Sequence, residues 1–115
     1  MPRRTDFSRV ERIGAAFEGV ETGTSYGAPA LKVNGRMFAC VPTHRTADPG
    51  SLAVRMSLVE RDLRLRSQPE VYYLKPHYEP HPVVLARLAG LSDEDLKELL
   101  EVGWRFERGK KKPRR

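Results

Sequence analysis

Apolar residues recur at Phe7, Val10, Ile13 and Phe17, the three-to-four-residue spacing of a single helical face, with Thr5 or Asp6 placed to cap the helix and Gly19 to stop it. The turn-rich stretch "GVETGTSYGAP" follows as a connection, and then the pattern changes. "ALKV" and "RMFACV" flank Asn34-Gly35, a pair that readily takes the positive backbone angles of a type I′ turn, so the segment reads as a two-residue hairpin. With Val33 opposite Arg36 and Leu31 opposite Phe38, that register predicts one sheet face carrying Leu31, Val33, Phe38 and Cys40. Ala30, Lys32, Met37, Ala39 and Val41 take the other.

Past the polar loop 42–50, Leu52, Val54 and Met56 alternate with Ala53 and Arg55 as in a strand. Ser57 and Glu60 have the spacing of a capping box and open a short helix that Pro69 ends. Two β-rich runs, "VYYLK" and "VVLARLAG", lie on either side of "KPHYEPHP". Ser92 then caps a last helix with Asp93, Glu94 and Asp95 in its first turn, where acids favour the positive end of the helix dipole, and Leu96, Leu99, Leu100, Gly103 and Phe106 as its inner stripe. Helix, three or four strands, short helix, two strands and long helix together predict an α+β domain. Its mostly antiparallel sheet of five to six strands is backed by the N-terminal and C-terminal helices, with the short helix between strands.

At 115 residues the chain is long enough to bury roughly two thirds of its unfolded surface around one core without a metal or disulfide. Cys40 is the only cysteine, the start "MPRRTDF" lacks a secretory apolar stretch, and no apolar run is long enough to cross a membrane, so a cytoplasmic location is expected. The formal charge of +6 suggests a nucleic-acid partner until its distribution is considered. "MPRR" and "GKKKPRR" hold seven of the 21 Lys and Arg, which leaves 14 against all 15 Asp and Glu. Residues 1–4 are therefore read as a basic extension, 5–108 as one nearly neutral domain, and 109–115 as a disordered basic tail suited to lying along phosphates by counterion release.

"KPHYEPHP" looks most like chemistry. Two histidines at i and i+4 share a zinc ion when a helix stacks them, but Pro80 and Pro82 lack backbone donors, and Lys75, Glu79 and His81 each precede a proline and are biased to extended geometry. An extended step from His77 to His81 spans roughly 13 Å, too far for one ion, and only a tight turn at Glu79-Pro80 would close it. The segment is expected to be a stiff crossing between two strands with the His77 and Tyr78 rings on the sheet. Cys40 beside His44 or His77 would make a nucleophile and base only with an accessible thiol, and the hairpin buries it. The acids of "SDEDLKELLE" are ordinary capping chemistry, and no Gly-rich phosphate loop, Ser-centred elbow or rigid carboxylate pair is present. No metal, cofactor or catalysis is expected.

"GVETGTSYGAPALKVNGRMFACV" and "VYYLKPHYEPHPVVLARLAGLSDEDLKELLEVGWR" resemble the MmcQ/YjbR family of small bacterial proteins over nearly all of residues 5 to 106. The paired blocks carry the likeness: a "TSYG-P-K" hairpin entry, then "HY" with "P-V-AR" and a terminal Trp helix. The resemblance implies a double-wing α+β fold, with β-hairpins projecting from a helix-backed sheet, and DNA association assigned by structural analogy. It brings no catalytic residues. Where many relatives carry an aromatic-rich stretch before the last strand, this chain has Pro80, His81, Pro82 and Val83.

If that implication holds, the phosphate-contact candidates are Lys32 on the hairpin, Arg55 and Arg87 on strands, Arg61 and Arg64 on the short helix, and Lys110, Lys111, Lys112, Arg114 and Arg115 in the tail. Glu60 with Arg64 and Asp62 with Arg66 are also i,i+4 pairs that a solvated helix forms by itself. The alternative is a small-ligand or protein partner held in a sheet-face cleft around Tyr26, His77 and Tyr78, with Lys32, Arg55 and Arg87 near it.

Overall fold

The structure is a computed structural model that describes residues 6–110; the basic extension 1–4 and the tail cations Lys111, Lys112, Arg114 and Arg115 lie outside them. Helix α1 (Phe7–Gly14) leads into strands β1 (Val20–Ser25), β2 (Ala28–Val33), β3 (Arg36–Cys40) and β4 (Ser51–Arg55). Helix α2 (Leu58–Ser67), strands β5 (Tyr72–Tyr73) and β6 (Val83–Arg87), a 3-10 turn at Leu88–Gly90 and helix α3 (Asp93–Arg108) complete the chain. All six strands form one antiparallel sheet in the order β1-β2-β3-β4-β6-β5. With helices flanking an antiparallel sheet, this is the expected α+β architecture.

Caps start the helices where expected. The Ser57 and Ser92 hydroxyls accept from the backbone N–H of Glu60 and Asp95 at 3.2 and 3.0 Å. Asp6 occupies the cap of α1 but spends its carboxylate on the Ser8 hydroxyl. The helix ends at Gly14, short of Gly19, and Phe17 reaches the core from the turn that follows, stacked 5.3 Å from Trp104. Trp104 Nε1 donates to the Glu18 carbonyl at 2.9 Å and ties that turn to α3. On α3 the inward positions include Trp104 and Glu107, while Phe106 is only half-buried, a correction to the expected stripe.

The main core lies between one sheet face and α1 with α3, and holds Val10, Leu31, Phe38, Leu52, Val54 and Met56 against Leu96, Leu99 and Leu100. Gly103 sets the closeness of α3: a Cβ there would sit 2.8 Å from Val54 Cγ1 and 3.1 Å from the carbonyl oxygens of Phe38 and Arg55.

Two strand readings are corrected. "VETGTS", taken as connection, is the edge strand β1; it pairs with β2 through a tight turn in which Tyr26 and Gly27 both have positive φ, 51° and 80°. On β3, Val33 pairs with Arg36 as expected, but Leu31 pairs with Ala39, because Phe38 is the extra residue of a β-bulge. One inserted residue reverses every later side chain, so Phe38 and Ala39 both join the main core while Cys40 crosses to the opposite face. There, with Ala30, Ala53, Val83 and Leu85, it forms a second, smaller apolar layer.

Candidate functional site

Among the described residues no helix covers that second face. Two loops fold over it instead: residues 42–50, between β3 and β4, and residues 74–82, between β5 and β6. The β5–β6 loop is not an extended crossing. Backbone bonds from Tyr78 N to Lys75 O, Glu79 N to Pro76 O and His81 N to Tyr78 O, at 2.8, 3.3 and 3.0 Å, wind it into successive turns. The His77 and His81 rings consequently lie 6.3 Å apart instead of at extended spacing. The prolines permit this because none of those three bonds needs a proline donor. Arg61 of α2 clamps the wound loop from outside, donating from Nη1 to the carbonyls of Glu79 and His81 at 3.0 and 2.8 Å.

The two loops meet through their rings. His44 and His77 stack with centroids 3.9 Å apart and planes 12° from parallel, and Tyr78 stands edge-on to both. The Tyr78 hydroxyl accepts from the backbone N–H of His44 at 3.2 Å, and His44 Nδ1 lies 2.7 Å from the Thr46 hydroxyl and 3.3 Å from the Thr46 N–H, which fixes the ring. All three histidines of the chain are thus gathered at one place. The stacked pair is not arranged to share an ion: ring nitrogens bind along lone pairs in the ring plane, and two nearly parallel planes 3.9 Å apart do not converge on one point. Among the described residues no group of three or more His, Cys, Asp or Glu has the geometry to hold an ion.

Between the loops, the β1–β2 turn and the end of β4 lies a cleft of about 570 Å³. Its floor is Met37, Cys40, Ala53 and Val83, and its walls carry Tyr26, Arg55, His44, His77, Tyr78 and His81. Among the described residues no Asp or Glu side chain lines it. Burial pushes the Cys40 thiol up to about 11, against a smaller opposing pull from Arg55, so the sulfur is neutral at physiological pH and unsuited to attack. Partial desolvation, with the nearby His77 and Arg45, lowers the pKa of His44, and burial raises that of Tyr78.

Of the six residues expected around a sheet-face cleft, Tyr26, Arg55, His77 and Tyr78 line this one. Lys32 is on the same face, but its stem lies over Gly23 toward the sheet edge. Arg87 lies at the far end of the sheet, 4.0 Å over the Tyr73 ring and 3.0 Å from Asp48. His44, His81 and Cys40 were legible as chemistry but not as members of one wall, since only the meeting of two distant loops joins them.

Among the described residues, the candidate phosphate contacts do not form one surface. Arg61 holds loop carbonyls, and Arg64 donates to Glu98 and the Tyr72 hydroxyl at 2.7 and 3.0 Å and lies 3.9 Å from Glu60. Asp62 approaches Arg61 at 3.8 Å. A denser basic corner surrounds Glu107, whose side chain is 1% exposed: Arg36, Arg55 and Lys110 converge on it at 2.7, 3.0 and 3.5 Å. Burial alone would raise the Glu107 pKa, but the hydrogen bonds from Arg36 and Arg55, with Lys110 adding, bring it below the usual carboxylate value.

The family model described as YjbR matches residues 15–106. Three mycobacterial proteins described as uncharacterized, Mb2600 from Mycobacterium bovis and MT2646 and Rv2570 from Mycobacterium tuberculosis, are each 40% identical to this chain over 40 residues. The matched segment is 35% of this chain, and it spans about a third of each relative, 31%. No helix among the described residues is long and apolar enough to cross a membrane.

Proposed function

The chain belongs to the YjbR family, and from the geometry of its open sheet face we propose that it is a binding module for a small ligand, with the cleft as the site and no catalytic step of its own. The observation that carries this reading is the cleft itself. It has an apolar floor and converging aromatic, imidazole and guanidinium groups, and its volume of about 570 Å³ falls within the range ordinary for ligand sites. The neutral thiol of Cys40 and the stacked His44–His77 pair supply neither an activated nucleophile nor an open metal position, which supports binding without chemistry. A cytoplasmic location suits the lone Cys40.

A two-dimensional ¹H–¹⁵N NMR screen of the full chain against fragment mixtures tests the reading. Saturable shifts confined to residues 25–26, 40–44, 53–55 and 77–83 are expected. Fragments that bind only elsewhere, or a library in which none moves these residues, would overturn it.

A second reading, DNA association, has a specific observation behind it. The basic corner of Arg36, Arg55 and Lys110 places more positive charge around Glu107 than that carboxylate offsets, and it lies where the cationic segment 109–115 begins. Contacts of that kind would be sequence-indifferent and sensitive to salt.

A further inference from the structure

Among the described residues, Arg55 is the only permanently charged side chain on the cleft wall. Its Nε donates to Glu107 Oε2 at 3.0 Å, and Glu107 is itself fixed by Arg36 at 2.7 Å. The two Nη groups of Arg55 have no partner among the described residues, and the side chain retains about a quarter of its exposure. A guanidinium held at Nε by a buried carboxylate is a pre-oriented fork. Its free ends suit the two oxygens of a carboxylate or phosphate, and little rotamer freedom remains to be lost on binding.

The rest of the cleft complements an anion that also has a flat apolar body. Among the described residues the lining lacks Asp and Glu, so no fixed negative charge there opposes the ligand. The register places Arg55 at the β6 end of the face, opposite Val83, while Tyr26 lies at the β1–β2 turn, past the paired row Ala30, Cys40 and Ala53. The backbone separation along the strands is roughly 17 to 20 Å, room for a fused-ring body with a charged head between the two long side chains. Tyr26 is 94% exposed although it lines the cleft, so a planar face stands unpartnered at the end away from Arg55.

We infer that the cleft takes a flat organic anion, with its carboxylate or phosphate on the Nη groups of Arg55 and its ring system over Met37, Cys40 and Ala53, toward Tyr26 and the histidine stack. This rests on the reading of the cleft as a ligand site and adds the chemical class. Glu107 acts as a positioning residue through Arg55 and does not touch the ligand.

The test uses two matched pairs titrated into the full chain by NMR at fixed salt: 2-naphthoate against 2-naphthamide, and adenosine monophosphate against adenosine. The anion of at least one pair should bind about tenfold tighter than its neutral twin, as expected for a charge-assisted hydrogen-bonded contact, with shifts at residues 53–55 and 77–83. A preference in the first pair identifies an aromatic acid as the source of the anion, and one in the second identifies a nucleotide. Arg55→Lys keeps the charge but removes the fork and should erase most of the preference, with the ¹H–¹⁵N spectrum of the free variant checking that the cleft remains folded. Equal binding of anion and neutral twin within the cleft would overturn the anion class and leave the cleft reading intact. If no probe perturbs the cleft while a neutral fragment from the screen does, the anion class is likewise rejected. If the fragment screen is also silent there, both fall together.

Discussion

Glu107 carries a full charge in a place that excludes water, and two guanidiniums make this tolerable: Arg36 takes one carboxylate oxygen and Arg55 the other. Removing the carboxylate would leave two arginines facing each other across an unfilled space. Glu107→Ala should therefore destabilise the fold by about 3 kcal/mol, the low end for a broken buried ion pair because both arginines keep access to water, as measured by urea unfolding at pH 7. The pH dependence follows from the lowered pKa. Stability from this group is complete above its ordinary value of 4.5 and is lost as pH falls through the lower folded value, so acid unfolding of the variant should lack that component. Burial of Glu107 was not readable from its spacing on the helix, since a charge in the last turn beside a basic tail looks solvated. Tyr26, Arg55, His77 and Tyr78 were readable as candidates because their residue types stood out near turns and strand ends. That His44 joins them depends on a hydrogen bond to Tyr78 across 34 positions of sequence, which no local pattern encodes.

At the level of elements, the hairpin at Asn34-Gly35 was legible because both residues need the left-handed region, where they have φ of 57° and 75°. The bulge at Phe38 was not, since "RMFAC" alternates as well with an extra residue as without one. Strand β1 escaped notice for a different reason: it is an edge strand wet on both faces, so "VETGTS" has no apolar alternation to display. The α3 stripe included one feature whose purpose only packing reveals, the close approach at Gly103. Gly103→Ala forces a methyl against Val54 and two strand carbonyls, and although alanine favours helix by itself, the overpacking should prevail. A net loss of about 1–3 kcal/mol is expected, measured by thermal unfolding; a stabilised variant would mean that α3 can move away from the sheet freely.

Across the whole molecule, charge and shape are divided. The folded body is nearly neutral, and its cations are largely engaged: Arg9 reaches the Leu88 and Leu91 carbonyls and Asp93, Arg64 reaches Glu98, and Arg87 reaches Asp48. If the DNA reading holds, the contribution of the body should be small. Fluorescence anisotropy of a labelled random duplex, titrated at low and physiological salt, should show binding by the full chain and a markedly flatter salt dependence for a chain ending at Arg108. Unchanged binding by the shortened chain would shift the contact to Arg36 and Arg55, and absence of binding by both would remove the DNA reading.

The sheet also separates two apolar layers of unequal size. Helices α1 and α3 close the larger one, while the smaller one is roofed only by residues 42–50 and 74–82. Mutational tolerance should differ across that divide, because most of the buried side chains that hold the fold together lie on the helical side. The roof is therefore the part of this architecture that evolution or an engineer can rewrite most freely: exchanging two short loops would reshape the walls of the cleft while the frame beneath them stayed the same.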